Sequence, residues 1–241
     1  MLNCGYSEAG YPHIPLKPES EGERLGFQLY HRLVRSASLA GADLIEIGCG
    51  RGGGARFLAG QFGPRSYWAT DFSRLFTFTN RLSHRPMSLR FRFARAERLP
   101  FQAGSFDLGL SVEAMHPLPD KAACLKEMAR VLRPGGRLLI ADFFYARDSS
   151  PSALTRFRRT VGESAFKVDT EEDWTPHVLE ALEADTPRRL AEIRKLPRVF
   201  HKLATSFAST SVSPIYHQLR DGRATYVHFE LSLRNDQLGR S

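Results

Sequence analysis

The stretch Leu44-Ile-Glu-Ile-Gly-Cys-Gly-Arg-Gly-Gly-Gly54 decides how the fold is interpreted. The β-rich run Asp43–Ile47 leads directly into glycines, and apolar residues at helical spacing follow it. Glycines directly after a buried strand allow a tight turn and the close approach of a ligand, while the next helix offers free amides at its positive end. The stretch therefore predicts a strand–loop–helix unit with a ligand at the loop. Such loops occur in dehydrogenases and other nucleotide-binding folds, so the loop alone does not choose a function.

Downstream of this loop, strand-like and helix-like segments keep alternating. Helices are predicted at 53–62, at 73–83 and from Asp120 to the turn at Pro134-Gly-Gly136. Further strands are predicted at 67–70, 89–93, 106–112 and 137–144. Strands separated by helices form right-handed βαβ units with a parallel sheet covered on both faces. We therefore predict an α/β, Rossmann-like fold with a seven-stranded, mostly parallel sheet.

The segments outside this core have different patterns. Residues 1–41 predict an extended, proline-containing arm followed by a helix, and residues 42–145 predict the ligand-binding core. Residues 146–210 are polar and helical in pattern, without a strand, and predict a helical lid inserted over the site. All 241 residues are expected to form one domain.

The C-terminal segment, residues 211–241, predicts a closing hairpin. Two strand-like runs, 215–220 and 225–231, flank Asp221-Gly222, which is a strong short-range turn signal. The last two strands are therefore expected to be antiparallel neighbours.

The composition limits the class of protein. Hydrophobic residues at 42% and charged residues at 25% argue against global disorder. No apolar run reaches the roughly 18 residues of a membrane span, and the first residues lack a secretory pattern. Three scattered cysteines without a Cys-x-x-Cys pair argue against a disulfide scaffold and a zinc site. We expect a cytoplasmic monomer or homodimer without a metal.

The net charge of +8 raises the question of an anionic partner. A basic balance favours nucleic acid, an anionic membrane surface or an acidic substrate, but it concerns association and not fold. Because no block of five or six like charges forms a binding tail, a solvated basic surface is the favoured interpretation. No nucleic-acid partner is expected.

Two carboxylates near the glycine loop indicate which chemical groups the ligand carries. Glu46 lies two residues before Gly48, where its carboxylate can reach a cationic ammonium group. Asp71 ends the second predicted strand, where a carboxylate can accept hydrogen bonds from ribose hydroxyls. The alternative for Asp71 is a cap for the helix that begins after Ser73.

Several motifs in order resemble the class I S-adenosylmethionine-dependent methyltransferases, over nearly the whole chain. They are Ile45-Glu-Ile-Gly-Cys-Gly-Arg-Gly-Gly53, Ala69-Thr-Asp-Phe-Ser73, Ala96-Glu-Arg-Leu-Pro-Phe101 with Ser105-Phe-Asp-Leu108, Ser111-Val-Glu-Ala-Met-His116, and Met128-Ala-Arg-Val-Leu-Arg-Pro-Gly-Gly-Arg-Leu-Leu-Ile-Ala-Asp-Phe143. Leu2-Asn-Cys-Gly-Tyr6, the triple glycine and Phe207-Ala208 are more narrowly similar to lipid O-methyltransferases of the phthiotriolone and phenolphthiocerol type. The resemblance implies S-adenosylmethionine as the cofactor.

The resemblance also assigns residues to the methionine half of the cofactor. It places Gly48, Gly50 and Gly52 along the methionine moiety, with Glu46 near its amino group. It places the segment from Ser111 to Glu113 under the sulfonium, where Glu113 is favoured as a structural or cofactor-side carboxylate.

On the adenosine half, the resemblance implies that Asp71 holds the ribose, that Phe72 lies against the adenine and that Ala96 meets the adenine edge. The chain departs from the family at Arg95, where an aspartate is common. An aspartate accepts from the adenine amino group, whereas an arginine has only donors. Cofactor binding is expected to survive this change in a weaker form.

Two residues are candidates for chemistry on the methyl acceptor. His116 follows the fourth strand at the carboxyl edge of the sheet, and histidine titrates near neutrality, so it suits a general base. Asp142 ends the fifth strand at the same edge and could orient His116 or bind the acceptor; the spacing resembles sugar and polyketide O-methyltransferases that use such a pair. The alternatives are a loop-start histidine ahead of Pro117 and a strand-end carboxylate that caps the next turn.

The expected function is methyl transfer to a small, mostly apolar acceptor of the natural-product or lipid-like kind, with oxygen favoured as the methylated atom. One alternative is a family member that keeps the cofactor without methylating, as a binding module or a repurposed cyclase. A nicotinamide dehydrogenase is disfavoured because Glu46 precedes the loop and because an Asp-Gly hairpin is predicted near the end of the sequence. Nucleic-acid methylation is supported by net charge alone.

Overall fold

A computed structural model of the chain describes residues 3–83, 86–146, 152–197, 199, 201, 205 and 208–234. Leu2 and Phe207, which contribute to the narrower resemblance, lie outside these residues. The described part contains a sheet of seven strands in the order β3-β2-β1-β4-β5-β7-β6. The strands are β1 Asp43–Ile47, β2 Ser66–Asp71, β3 Leu89–Phe93, β4 Phe106–Val112, β5 Leu132–Tyr145, β6 Phe166–Asp173 and β7 Ala224–Leu233.

The five strands from β3 to β5 in this order are parallel, and β7 is antiparallel to both β5 and β6. The helices of the described chain follow a 3₁₀ turn at Pro18–Glu23. They are α1 Arg24–Leu33, α2 Gly53–Phe62, α3 Arg74–Leu82, α4 Lys121–Val131, α5 Ala153–Gly162, α6 Thr175–Arg194 and α7 Pro214–Arg220. The predicted α/β, Rossmann-like, mostly parallel seven-stranded sheet is confirmed.

The central strand β1 explains why the sheet is buried on both faces. All five of its residues are buried. Leu44 and Ile45, two successive residues of β1, belong to different core clusters, because successive side chains of a strand point to opposite faces. The carboxyl end of β1 therefore runs from the middle of the core straight into the glycine loop.

Two helix starts show how the sequence sets the chain's direction after a strand. Ser73 Oγ accepts a hydrogen bond from the amide of Phe76 at 3.2 Å, and Asp120 Oδ1 accepts one from Ala123 at 2.9 Å. Both side chains satisfy amides that the first turn of a helix leaves without partners. They fix the starts of α3 and α4 at the carboxyl edge of the sheet, on either side of the site.

The predicted absence of a strand in residues 146–210 is wrong, since β6 lies within them. This strand is on the edge of the sheet and pairs only with β7. Its residues are mostly exposed and charged, as is common for edge strands that must avoid pairing with another chain. The alternation at Phe166, Val168 and Thr170 is short and ends in a run of acidic residues, so it gives only a weak strand signal.

The predicted closing hairpin is also wrong in its first half, because residues 214–220 form helix α7. Pro214 occupies the first helical position, where its missing amide hydrogen costs nothing. Tyr216 and Leu219 are the buried residues, at helical and not at strand spacing. Gly222, with a φ of 69°, ends the helix before β7 instead of turning a hairpin.

Candidate active site

Two cavities open at the carboxyl edge of the parallel strands. The first, of about 860 Å³, is lined by residues 48–53, His116, Phe143 and residues of the 209–218 segment, and we call it the loop cavity. The second, of about 510 Å³, is lined by Asp71, Phe72 and residues 93–97 and 117–119, and we call it the strand-end cavity. Gly48 and Glu113 line both. The two cavities are therefore neighbours that meet at the end of β1 and β4.

The glycine loop can pass this close to β4 only because Gly48 lacks a side chain. Gly48 has a φ of 70°, and a Cβ there would lie 2.3 Å from Cβ of Ala114. Helix α2 then begins at Gly53, and its N-cap residue Gly52 has no side chain to cap it. Gly52 and Gly53 line the loop cavity, so the first amides of α2 can bind an anionic group there.

Asp71 holds the loop and the next helix together. Its Oδ2 accepts a hydrogen bond from the amide of Gly50, and its Oδ1 accepts one from Ser73, both at 2.8 Å. The cap of α3 is Ser73 and not Asp71, and each carboxylate oxygen of Asp71 keeps a second lone pair for a ribose hydroxyl. Asp71 is only 5% exposed yet lines the strand-end cavity, so a hydroxyl in that cavity can reach it.

Glu46 is fully buried and faces phenols. Its two carboxylate oxygens accept hydrogen bonds from the hydroxyls of Tyr30, at 2.7 Å, and Tyr67, at 2.9 Å. Burial raises the pKa of Glu46 to about 7, against the lowering effect of these hydroxyls. Tyr30, and not Glu46, lines the loop cavity. The sequence-predicted carboxylate therefore lies one side chain behind the cavity wall.

Ser111 to Glu113, the segment that the resemblance places under the sulfonium, lies partly in the core and partly at the cavities. Ser111 is completely buried and lines neither cavity, whereas Val112 lines the loop cavity and Glu113 lines both. Glu113 has a φ of 52°, an unusual backbone conformation for a residue with a side chain that is common at functional sites. Its Oε1 accepts hydrogen bonds from the amide of Cys4 at 2.8 Å and the hydroxyl of Tyr226 at 3.1 Å. Burial and the charge of Asp142 raise the pKa of Glu113.

The predicted adenine contacts line the strand-end cavity. Phe72 is 72% exposed, so its ring is open to a ligand, and Ala96 is half-buried. Arg95 lines the same cavity, but its side chain is 70% exposed and its Nε lies 3.7 Å from Oε2 of Glu97. The arginine thus points largely into solvent, where its charge is screened.

His116 and Asp142 lie in contact at the loop cavity. His116 Nδ1 is 2.8 Å from Oδ1 of Asp142, and the imidazole stacks on Phe143 with ring centroids 3.9 Å apart. Asp142 is completely buried and also accepts hydrogen bonds from the amides of Met115, His116 and Phe143. Because the carboxylate accepts, Nδ1 carries the proton, and Nε2 remains as the acceptor of a ring that lines the cavity.

Several lining residues of the loop cavity were missed by sequence reasoning. Phe143 and Tyr145 stand on the same face of β5 at its carboxyl end, and their spacing of two could have indicated this. Asn3 is 4% exposed and lines the cavity with an Oδ1 that has no partner among the described residues. Its position depends on how the arm folds back, which no local pattern predicts.

Within the described residues, no group of three or more His, Cys, Asp or Glu side chains could hold a metal ion. The same residues include no helix with the length and apolarity to cross a bilayer.

The site fits the charge pattern of S-adenosylmethionine. Uncapped α2 amides suit its carboxylate, and Glu113 suits its ammonium or sulfonium charge. Asp71 offers acceptors to a ribose, and the exposed ring of Phe72 offers a face to an adenine. The unpartnered Oδ1 of Asn3 adds a buried acceptor that a ligand can satisfy.

Comparisons with known proteins identify the family of the chain. Residues 45–140 match the model of a family described as a methyltransferase domain. The chain is 31% identical over 89% of its length to a probable phthiotriol/phenolphthiotriol dimycocerosates methyltransferase 2 of Mycobacterium ulcerans, and the match covers 82% of that protein. It is 40% identical to a fatty-acid O-methyltransferase of Mycolicibacterium smegmatis over 59% of the chain, which is about half (52%) of that relative's length.

Among solved structures, a putative sarcosine dimethylglycine methyltransferase from Galdieria sulphuraria superposes with a TM-score of 0.74. The match covers 96% of this chain and 93% of that one at 17% identity, so it supports the fold. Sequence and fold together show that the chain belongs to the class I S-adenosylmethionine-dependent methyltransferases related to the phthiotriol/phenolphthiotriol dimycocerosates enzymes, with S-adenosylmethionine as its methyl donor.

Proposed function

We propose that the enzyme transfers the methyl group to an oxygen of a small, lipid-like acceptor bound in the loop cavity. The observation that carries this is the His116–Asp142 pair at a cavity shared with the glycine loop. Two relatives named for lipid and fatty-acid methylation support the acceptor class. Val112, Phe143 and Ile215 offer such an acceptor apolar contacts within a lining that is otherwise largely glycine and polar residues.

The cofactor is proposed to lie across both cavities. The amides at the start of α2 bind its carboxylate, Glu113 faces its ammonium group, Asp71 binds its ribose, and Phe72 and Ala96 border its adenine. Gly48, between the two cavities, leaves room for the backbone to approach it.

Two of the predicted cofactor contacts take indirect roles in this proposal. Glu46 acts through Tyr30, which it holds against the loop cavity. Ser111 acts as a core residue of β4.

The chemistry required of the chain is alignment and proton removal. S-Adenosylmethionine supplies an electrophilic methyl group on a sulfonium that leaves as a neutral thioether. His116 Nε2 accepts the proton of the acceptor hydroxyl, and the negative charge of Asp142 stabilises the imidazolium that results. Phe143, stacked on the imidazole, and the three amides on Asp142 keep the pair in this geometry.

The test combines binding and turnover. Isothermal titration with S-adenosylmethionine is expected to show binding, and Asp71→Ala should lower the affinity about tenfold or more through loss of ribose contacts. Incubation with labelled cofactor and a panel of fatty acids, long-chain alcohols and phenolic lipids should yield methyl esters or ethers by mass spectrometry. With the alcohol and phenol acceptors, His116→Ala should lower turnover about 100-fold while the cofactor Kd is kept.

Three outcomes would contradict the proposal. They are methylation at carbon or nitrogen alone, an unchanged turnover of His116→Ala, and cofactor binding without a methylated product across the panel. The last would support the non-methylating alternative. The cytoplasmic location, the choice between monomer and homodimer and the lack of a nucleic-acid partner stay predictions.

A further inference from the structure

Most of the large apolar side chains that are exposed in the described structure come from one short segment. Ten such side chains are at least 40% exposed, and six of them fall within residues 72–93. These six are Phe72, Leu75, Phe78, Leu82, Met87 and Phe93. Single exposed apolar residues are ordinary, but a cluster of this density marks an interaction surface. We call it the α3 surface.

Helix α3 carries the centre of the α3 surface. It turns its apolar side chains to solvent and its polar ones to the core, the reverse of the usual orientation. Leu75, Phe78 and Leu82 are 66%, 61% and 72% exposed, and their spacing of three and four residues puts them on one stripe of the helix. The buried residues of the helix are instead polar, Thr77 and Asn80. An amphipathic helix normally turns its apolar stripe to the core, whereas this stripe is exposed in the described part of the chain and can contact a partner.

The charge of the same segment has a single sign. Residues 72–96 contain six arginines and no aspartate or glutamate. Arg74 and Arg81 are exposed beside the apolar stripe, and the guanidinium of Arg74 lies 5.0 Å from the ring centroid of Phe93. Arg90 and Arg92 instead lie over the rings of Trp68 and Phe101, so Arg74 and Arg81 are the described arginines that flank the apolar stripe.

The α3 surface reaches the edge of the sheet where the site opens. Phe72 directly follows β2 and Phe93 ends β3, and both line the strand-end cavity. A partner on this surface therefore lies next to the active site.

We propose that the α3 surface docks the enzyme onto a membrane surface that contains anionic lipids. Aliphatic and aromatic side chains on one helix face, flanked by arginines, match the acyl boundary and the anionic headgroups of a bilayer interface. A second copy is a poor occupant, because the arginines of two α3 surfaces would face one another without a carboxylate between them. Nucleic acid is a poorer match, since Leu75, Leu82 and Met87, half of the six side chains, are not aromatic and offer no ring on which a base could stack.

The experiment is co-sedimentation of the full chain with lipid vesicles, which needs neither cofactor nor acceptor and so fails independently of the proposed chemistry. Binding is expected to vesicles of phosphatidylcholine with about a third phosphatidylglycerol, to be much weaker with pure phosphatidylcholine, and to weaken with salt. Leu75→Gln/Leu82→Gln and Arg74→Gln/Arg81→Gln should each lower the bound fraction about tenfold or more.

The matched control is Val168→Gln/Leu196→Gln, which removes two apolar side chains of 42% and 45% exposure from other elements. Its vesicle binding should equal that of the wild type, and thermal unfolding should show that all variants fold. Equal binding of wild type and α3 variants would overturn the proposal. So would loss of a dimer in the α3 variants by analytical ultracentrifugation without loss of vesicle binding, or binding to single-stranded RNA but not to vesicles.

Discussion

Glu46 combines complete burial with hydrogen bonds to two phenols, Tyr30 and Tyr67. Its pKa rises from 4.5 to about 7 on folding. A raised pKa means that the folded state holds the proton more tightly than the unfolded state. Its contribution to stability is therefore fully present below about pH 4.5 and is lost as the pH rises through about 7.

This sign predicts how Glu46→Gln changes the pH profile of stability. The glutamine has no carboxyl proton to lose, so its free energy of unfolding lacks this pH dependence. The difference between the free energies of unfolding, wild type minus variant, should therefore fall by up to about 3 kcal/mol between roughly pH 4.5 and pH 8. Urea unfolding at several pH values measures the difference. A difference that stays flat, or that rises with pH, would refute the buried-acid interpretation of Glu46.

At the scale of single residues, the sequence predicted those side chains that strand ends bring together. His116 follows β4, and Asp142 lies in β5 just beyond the last residue that pairs with β4, so their contact could be expected from the strand order. Ser111, one position inside the end of β4, lies in the core, because the alternation of a strand turns each successive side chain to the opposite face. Tyr30 could not be assigned, since its role depends on α1 packing against α2.

Helix α2 depends on the contact between its first turn and α1. A Cβ on Gly54 would lie 2.0 Å from Cζ of Tyr30, whose hydroxyl holds Glu46. Gly60, in the same helix, is exposed, and the nearest atom to a Cβ there is Cγ of Pro86 at 3.9 Å. A side chain at Gly54 would therefore clash with Tyr30, whereas a Cβ at Gly60 would not clash with any neighbour.

Alanine at each position should therefore shift stability in opposite directions. Gly54→Ala must displace the ring of Tyr30 and should destabilise the protein by about 1–3 kcal/mol. Gly60→Ala should leave stability unchanged or raise it by up to about 1 kcal/mol, because alanine has the better helix propensity. Chemical denaturation measures both variants. If the two substitutions had equal effects, the close packing of Tyr30 on α2 would not be the cause.

At the scale of elements, the buried parallel strands were the predictable part, and the two departures share a physical origin. Strand β6 is polar and depends on β7 for its hydrogen bonds, so its conformation is set by a partner distant in sequence. Residues 214–220 have a pattern that is compatible with a strand or a short helix, and burial of Tyr216 and Leu219 chooses the helix. Asp221-Gly222 does turn the chain, but between α7 and β7 and not between two strands.

At the scale of the molecule, Arg189 of α6 joins three distant parts of the chain beside the loop cavity. Its guanidinium donates to the carbonyl oxygens of Asn3, Ala208 and Ser209 at 2.8–3.1 Å. Asp185 accepts from its Nε at 2.6 Å and keeps it in place. Since Asn3 and Ser209 line the loop cavity, this one side chain fastens part of the cavity wall.

Arg188 is the matched control for the contacts that Arg189 makes with the cavity wall. It pairs with the same carboxylate, with Nε and Nη2 at 2.6 and 2.7 Å from the oxygens of Asp185. Its hydrogen bonds go to Asp185 and not to the arm or the 208–209 segment. Either arginine can be removed without leaving Asp185 as an unpaired buried charge.

Arg189→Met should therefore loosen the wall where Arg188→Met does not. Loss of charge-assisted bonds to three carbonyls should make local opening easier by about 2 kcal/mol, so exchange of the Cys4 and Tyr6 amides should become roughly 30-fold faster. The affinity for S-adenosylmethionine should fall with it, because a mobile wall must be ordered again on binding. Hydrogen exchange by mass spectrometry and isothermal titration measure the two effects. Equal exchange in both variants would show that α6 holds the arm by packing alone, and cofactor affinity would then be independent of Arg189.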